Sequence, residues 1–381
     1  MKITGIICEY NPLHLGHKKQ LDIIRRTQSE DSGIVCLMSG NFVQRGEPAI
    51  LDKSLRAKAA IIAGADLVLQ LPVTASLCSA EGFAKAGVSI LSPFCTHLCF
   101  GAENAEEERL IATAEGLLSA DFPEALRGHL SAGLSFPAAR QKALEQLGYD
   151  GSILTKPNNI LAIEYCKAIL QQNSPMAPMP IVRDGDYHDT NADTENPSAT
   201  ALRKLMETGN NWQPFLPDGV ADCFRGAALH TMQAGERAVL SKLRSMTDEE
   251  FAALPYGNEG LWRKLMHAVA KESSLESIFA ATKSKRYTRT RLNRMVLCAF
   301  LGITQKDLET PAPYVRVLAL NARGREILKL ARQTGHFPNI GEIQESPYQA
   351  LENRCGNLYG LFSESTPEPA DAEKRQRIYC E

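Results

Sequence analysis

The residues best suited to chemistry lie near the start of the chain, where Gly5-Ile6-Ile7-Cys8-Glu9-Tyr10-Asn11-Pro12-Leu13-His14-Leu15-Gly16-His17 runs from an apolar stretch into His-x-Gly-His. Ile3 to Cys8 predicts a strand, and the turn after it predicts a helix starting near His14. The first backbone N–H groups of a helix have no intrahelical partner and favour an anion there. Imidazoles three residues apart share one face of that first turn, so both can address one phosphate. Gly16 leaves no side chain to hold a ligand off the backbone. Two donors so placed suit the five-coordinate transition state at an α-phosphorus, which makes His14 and His17 the candidate catalytic residues of a nucleotide site. Capping or surface histidines are the plainer reading; the strand, Asn-Pro and turn immediately before the pair argue against it.

Four further segments carry residues of the right type. Met38-Ser39-Gly40-Asn41-Phe42-Val43-Gln44-Arg45-Gly46-Glu47-Pro48 follows a second predicted strand and reads as a loop folded over a ligand, with Arg45 a clamp on a phosphate or a carboxylate. Gly101 ends the predicted strand at Phe100 and lets a sugar or base approach the backbone. In Pro157-Asn158-Asn159 one amide is an ordinary helix cap and the other is available to an adenine edge or a ribose. Ser198-Ala199-Thr200-Ala201-Leu202-Arg203 is a second phosphate-ready helix start, preceded by the polar loop Arg183 to Asp189. Farther on, Lys283, Lys285, Arg286, Arg289, Arg291 and Arg294 lie in twelve residues with no acidic group, and Tyr287 stands among them. That run reads as an RNA-backbone patch with a stacking ring, or as a solvated charged face.

The elements that must position these residues follow from periodicity. Short apolar runs at Ile3–Cys8, Ile34–Met38, Asp66–Leu71, His97–Phe100 and Pro180–Arg183 alternate with helical patterns over about the first 210 residues. This predicts an α/β, Rossmann-like domain with a parallel sheet and ligands at the carboxyl ends of its strands. Beyond Gly209-Asn210-Asn211 strand signals fade, so residues 211–381 are expected to form a mainly α-helical second domain with a polar tail or edge strand from Ser363. With 381 residues, 44% hydrophobic and 23% charged, the chain is long enough for separate cores. A net charge of −2 excludes nucleic-acid binding by bulk charge, so any such contact must be local. Met1-Lys2 leads directly into a strand and no apolar run approaches roughly 18 residues, so a cytoplasmic protein without a signal peptide or membrane span is expected. The ten scattered cysteines read as reduced thiols. Cys95-x-His97-x-Cys99 would place three potential ligands on one strand face, but structural zinc takes four at wider spacings, and no metal site is assigned.

The segments together resemble the HxGH nucleotidylyltransferases. More narrowly, Gly-Ile-Ile-x-Glu-Tyr-Asn-Pro-x-His-x-Gly-His, Met-Ser-Gly-x-Phe-x-Gln-Arg-Gly-Glu-Pro, Lys-Pro-Asn-Asn-Ile-Leu, Ser-Ala-Thr-x-x-Arg and Thr-Lys-x-Lys-Arg-Tyr-Thr-x-Thr-Arg-Leu are similar, in order, to the bacterial tRNA(Met) cytidine acetate ligase family. The resemblance implies an enzyme that makes N4-acetylcytidine at the wobble position of elongator tRNA(Met) from acetate and ATP, by way of acetyl-adenylate, with Mg²⁺ on the triphosphate. It implies ATP contacts from Ile7, Glu9, Tyr10, Asn11 and Pro12, from His14, Gly16, His17 and Gln20, and from Gly101, Asn158, Asn159, Arg183, Ser198 and Thr200. Gln44, Arg45 and Arg203 would clamp acetate or phosphate, and the basic run would hold the tRNA. Where the family commonly has Ser-Glu-x-Gly-Asp after the glycine, this chain has Ala102-Glu103-Asn104-Ala105-Glu106, so no hydroxyl or aspartate role carries over there. An adenylyltransferase for a small phosphorylated metabolite is the main alternative, though about 170 further residues with a basic cluster favour a macromolecular substrate. A non-enzymatic tRNA-binding module with a vestigial nucleotide site is the third reading, which ATP turnover would exclude. The oligomeric state is not set by the sequence.

Overall fold

The computed structural model describes residues 1–29, 31–182, 198–284, 287–333, 345–365 and 371–381. Strands β1 (Ile3–Cys8), β2 (Gly33–Ser39), β5 (Leu67–Leu71), β6 (His97–Ala102), β7 (Ala177–Val182), β8 (Val317–Leu320) and β9 (Tyr379–Cys380) form one sheet in the order β7-β6-β1-β2-β5-β8-β9. A small hairpin, β3 (Phe42–Val43) with β4 (Glu47–Pro48), stands apart from it.

Alternation along the strands assigns side chains to two cores. Ile3, Val35, Leu37, Leu67, Leu69, Leu98 and Phe100 face one core, roofed by the helices Ala80–Leu91, Glu107–Leu118 and Pro157–Gln171. Ile6, Cys8, Ile34, Cys36, Met38, Val68 and Cys99 face the other, covered by the helices Leu15–Gln28, Lys53–Ile62 and Ala199–Glu207. Burial on both faces is what continuous Val/Ile/Leu runs in a parallel sheet require. The pairs β1–β2, β2–β5, β1–β6 and β6–β7 are parallel, as the alternating pattern predicts.

One strand, β8, escapes local reading, while β9 is the edge strand that the tail from Ser363 offered as an alternative. β8 joins β5 antiparallel, with Leu320 opposite Leu67, and β9 extends the edge parallel to β8. The chain is indeed mainly helical after residue 211, and the helices between Glu236 and Leu301 form a third core with Leu351, Tyr359 and Phe362. It then re-enters the sheet, and Phe42, Val73 and Leu77 from the first half sit in that helical core.

Cys95 and Cys99 do not share a face. β6 starts at His97, so the alternation does not reach Cys95, which packs in the first core while Cys99 faces the second. Among the described residues no helix is long and apolar enough to cross a membrane. All ten cysteines are free.

Candidate functional site

β1 lies between β2 on one side and β6 on the other: the chain builds outward from β1 through β2 to β5, then crosses back to place β6 on its opposite side, so the strand order reverses there. The crevice at the carboxyl ends of such strands is where open α/β sheets bind ligands. Here it is lined by Ile7 and Cys8 at the end of β1 and Glu9 just after it, and by Cys99, Phe100 and Gly101 from β6.

Tyr10, at φ 46°, turns the chain out of β1 and buries its ring with the hydroxyl 3.3 Å from Cys36 Sγ. Asn11 Oδ1 then accepts Ile50 N–H at 2.8 Å, fixing the turn to the neighbouring loop. His14 caps the helix Leu15–Gln28: its Nδ1 accepts Gly16 N–H at 3.1 Å, and His17 Nδ1 accepts His14 N–H at 3.2 Å. A ring nitrogen that accepts cannot carry the proton, so both neutral imidazoles hold it on Nε2. The rings stack with centroids 3.8 Å apart and both line the crevice. Gly16 has a second reason to be glycine: a Cβ there would stand 3.0 Å from His14 Cε1, displacing the ring from its cap.

Opposite the histidines, Gln44 N–H donates to Glu9 Oε1 at 2.7 Å and so draws the β3–β4 hairpin over the crevice. Burial raises the Glu9 pKa above the usual carboxylate value, against the lowering pull of Arg45, Arg203 and Arg56. Arg203 Nη1 donates to Asn11 O at 2.8 Å and its Nη2 to Thr200 Oγ1 at 3.2 Å. Ser198 Oγ accepts Ala201 N–H at 3.1 Å as the cap of the helix Ala199–Glu207. Gln44, Arg45, Ser198, Thr200 and Arg203 all line the crevice.

At the β6 side, Glu103 accepts Asn158 N–H at 3.2 Å, Asn158 Nδ2–H at 2.8 Å and Asn159 N–H at 2.8 Å. Asn159 is buried, its Oδ1 accepting Asn104 N–H at 2.9 Å, so it laces two loops together while Asn158 reaches the crevice. Gln20 also lines the crevice, with Nε2 3.5 Å from Cys99 Sγ. Pro12 shapes the turn without lining it, and Arg183 lies outside the described residues.

Three residues were not foreseen. Arg56 is fully buried and donates to Leu51, Glu9, Ser39 and Gly40 carbonyls, stapling the ends of β1 and β2. Glu103 organises the Asn158 helix start, and exposed Lys19 lines the crevice. Lys19 could have been found, because it stands two positions after His17; Arg56 sits in an ordinary helical pattern and gives no local signal. The whole is an apolar slot (Ile7, Phe83, Phe100, Leu161, Tyr165) beside imidazoles, guanidiniums and a helix N-terminus. That combination suits a flat base joined to phosphates.

The basic run is largely engaged within the molecule. Arg289 forms a bidentate pair with Glu276, at 3.0 and 2.7 Å. Arg291 donates to Tyr256 O at 3.1 and 2.9 Å, and Arg294 Nη1 to Gln44 O at 3.2 Å. Tyr287 is buried in the helical core with its hydroxyl donating to Glu259 O, so its ring is not offered for stacking. Lys283 is exposed, and Lys285 and Arg286 lie outside the described residues.

A model of the HIGH Nucleotidyl Transferase family matches residues 1–375. A tRNA(Met) cytidine acetate ligase of Clostridium perfringens is 35% identical, covering 97% of this chain and 98% of its own. One from Clostridium novyi is 37% identical over 94% of each chain. The apo crystal structure of Thermotoga maritima TmcAL superposes with a TM-score of 0.91 at 28% identity over the whole of both chains. A second form of that protein, bound with alpha-thio ATP, gives 0.88.

Proposed function

This chain belongs to the HIGH nucleotidyl transferase family, among its tRNA(Met) cytidine acetate ligases, and from that premise we propose that it uses ATP to activate acetate and acetylates the wobble cytidine of elongator tRNA(Met). Acetate is too poor an electrophile to react with an amine directly. In the proposed first step an acetate oxygen attacks the α-phosphorus, the bond to the bridging oxygen breaks, and pyrophosphate leaves with its electron pair. The cytidine N4 amine then attacks the acetyl carbonyl, losing a proton as AMP departs.

The observation that carries this reading is the double Nδ1 cap. Backbone N–H groups hold both rings and set their tautomers before ligand binds, so the Nε2–H donors need no reorganisation as charge develops on the α-phosphoryl oxygens. Arg45 and Arg203, with the helix start at Ser198 to Thr200, supply positive potential for the departing pyrophosphate and for the acetate carboxylate. The slot by Gly101 and Asn158 takes the adenosine. Among the described residues no group of three His, Cys, Asp or Glu side chains forms a metal cage. Magnesium commonly rides on substrate phosphates, and it enters here as the counter-ion of ATP, with no step assigned to it. Lys283, Lys285, Arg286, Arg289 and Arg291 are the proposed tRNA contacts, and the cytoplasm, where ATP and tRNA meet, is the proposed location.

The test is exchange of labelled pyrophosphate into ATP, with and without acetate and then with tRNA(Met). Exchange that requires acetate, followed by an acetyl mass increment on the tRNA, supports the reading. ATP binding without exchange under any of these conditions overturns it in favour of transfer of AMP to a different acceptor.

A further inference from the structure

The sequence places Arg294 in the RNA patch, and the structure buries it. Arg294 is 8% exposed and belongs to the helix Arg289–Leu301, whose residues from Leu292 to Leu301 are all buried. Its Nη1 donates to Gln44 O at 3.2 Å, and its guanidinium lies over the Tyr256 ring at 5.1 Å. Its Nε is buried without a hydrogen-bond partner among the described residues. A buried cation held by a carbonyl and a ring, with no carboxylate paired to it among the described residues, is a poor stabiliser compared with an apolar side chain of similar volume. Its place therefore calls for a reason beyond stability.

The contact around it supplies one. Gly46, at φ 76°, presses its Cα onto the helix backbone so closely that a Cβ would stand 2.4 Å from Arg294 N and 2.6 Å from Asn293 C. Asn293 Nδ2 donates to Glu47 Oε1 at 3.4 Å. The Gln44 to Glu47 turn is thus held from behind by one helix of the second half, and from in front by Glu9, which accepts Gln44 N–H. Gln44 and Arg45 project from this turn into the crevice.

We propose that Arg294 is a positioning residue for the nucleotide pocket, holding the hairpin that carries Gln44 and Arg45 against the helical half rather than contacting RNA. The inference rests on the reading of the crevice as an ATP site. It makes the pocket's lip depend on a helix whose first turn carries Arg289 and Arg291, so the two halves meet mechanically at this point.

Equilibrium titration of ATP alone, without acetate or tRNA, tests it, alongside filter binding of elongator tRNA(Met). Arg294→Met is expected to weaken ATP binding at least tenfold, leaving tRNA affinity within twofold. Arg294→Lys should recover part of the ATP affinity, since an ammonium still reaches toward Gln44 O. Gly46→Ala should reproduce the loss without touching the arginine, and together with Arg294→Lys it carries the test if Arg294→Met does not fold. A merely structural role would lower the fraction of competent protein, seen in the binding stoichiometry, and leave the dissociation constant unchanged. ATP affinity within twofold of the parent in both Arg294→Met and Gly46→Ala overturns the inference, as does lost tRNA affinity with ATP binding intact. Failure of acetate-dependent exchange would remove the ligase reading while leaving this one standing, because ATP binding needs neither co-substrate.

Discussion

Replacing Arg56 by methionine should both destabilise the protein and loosen the crevice, because one side chain holds the ends of two strands. Its Nε donates to Leu51 O at 2.9 Å, and Nη1 to Glu9 O at 2.6 Å and to Ser39 O at 3.1 Å, while Nη2 donates to Gly40 O. Burial lowers its pKa, which records how unfavourable the site is for a charge. Each hydrogen bond from a charged donor is worth about 1.5–3 kcal/mol, so four set an upper bound of roughly 6–12 kcal/mol. Methionine also removes a buried cation whose desolvation costs several kcal/mol, which offsets half of that sum or somewhat more. The net expectation is a loss of about 3–5 kcal/mol, at the severe end for a single substitution. At about 2 °C per kcal/mol for a chain of this size, melting should fall by roughly 6–10 °C. Thermal denaturation followed by circular dichroism measures it, and ATP titration of the folded variant should show weakened affinity, because Glu9, whose carbonyl Arg56 holds, lines the crevice. Arg56→Lys should fall between, since one ammonium cannot span four carbonyls. A methionine variant within about 1 kcal/mol of the parent and with unchanged ATP affinity would refute the stapling argument.

The other expectations are briefer. His17→Ala should reduce pyrophosphate exchange about 10²–10³-fold, the usual loss for one transition-state donor, with tRNA affinity within twofold; equal loss of both would break the division of labour between the halves. His14→Ala should cost about 1 kcal/mol of stability through the lost cap, and His14→Asn should restore melting but not exchange. Glu9 has a raised folded-state pKa, so its stabilising contribution is present at low pH and fades as pH rises through that value. Glu9→Gln, which still accepts Gln44 N–H, should therefore raise melting near about pH 8 and have little effect near about pH 4, an ordering that paired melts at the two values would expose. Gly324→Ala puts a Cβ 2.1 Å from Asp66 O, at the base of the sheet, and should destabilise by about 1–3 kcal/mol in chemical denaturation, whereas a neutral result would detach the helix Ala322–Gln333 from that contact.

What the sequence made legible was local. His-x-Gly-His after an apolar run announces strand, turn and helix within seventeen residues, and the structure keeps both histidines on that helix start. The parallel strands could be read because each is a short apolar run followed by a helical period. β8 is also a short apolar run before a helix, but it stands alone among helical patterns and its antiparallel partner β5 lies some 250 residues earlier, so nothing local assigns it to the sheet. The same blindness affected the arginines. Spacing places Arg291 and Arg294 on a common helical face, but nothing local says that Tyr256 and Gln44 cover it. The shared face of Cys95, His97 and Cys99 breaks at a strand boundary: β6 begins at His97, so its alternation does not reach Cys95.

Those long-range contacts bear on how two chemical steps share one chain. On the proposed function, a mixed anhydride such as acetyl-adenylate would be lost to water if it waited, so the half proposed to hold the tRNA would have to stand in a fixed relation to the half that carries the crevice. The structure ties them at three levels. β8 and β9 make the end of the chain part of the sheet that holds the crevice. Phe42, Val73 and Leu77 enter the helical core, so the β3–β4 hairpin shares its packing with Tyr359 and Phe362. Beneath the hairpin a buried polar network crosses the junction: Lys53 pairs with Glu373 and donates to Gln70 Oε1 at 2.8 Å, and Gln70 Nε2 donates to Glu352 Oε2 at 3.0 Å. Glu352 Oε1 accepts Val73 N–H and the Tyr348 hydroxyl, each at 2.8 Å. Apolar contacts alone would tolerate sliding, whereas buried donors and acceptors are satisfied in one register and costly in any other. A hinged pair of domains would need only the first kind of contact; this chain has built both, which is what the proposed two-step reaction at one crevice demands.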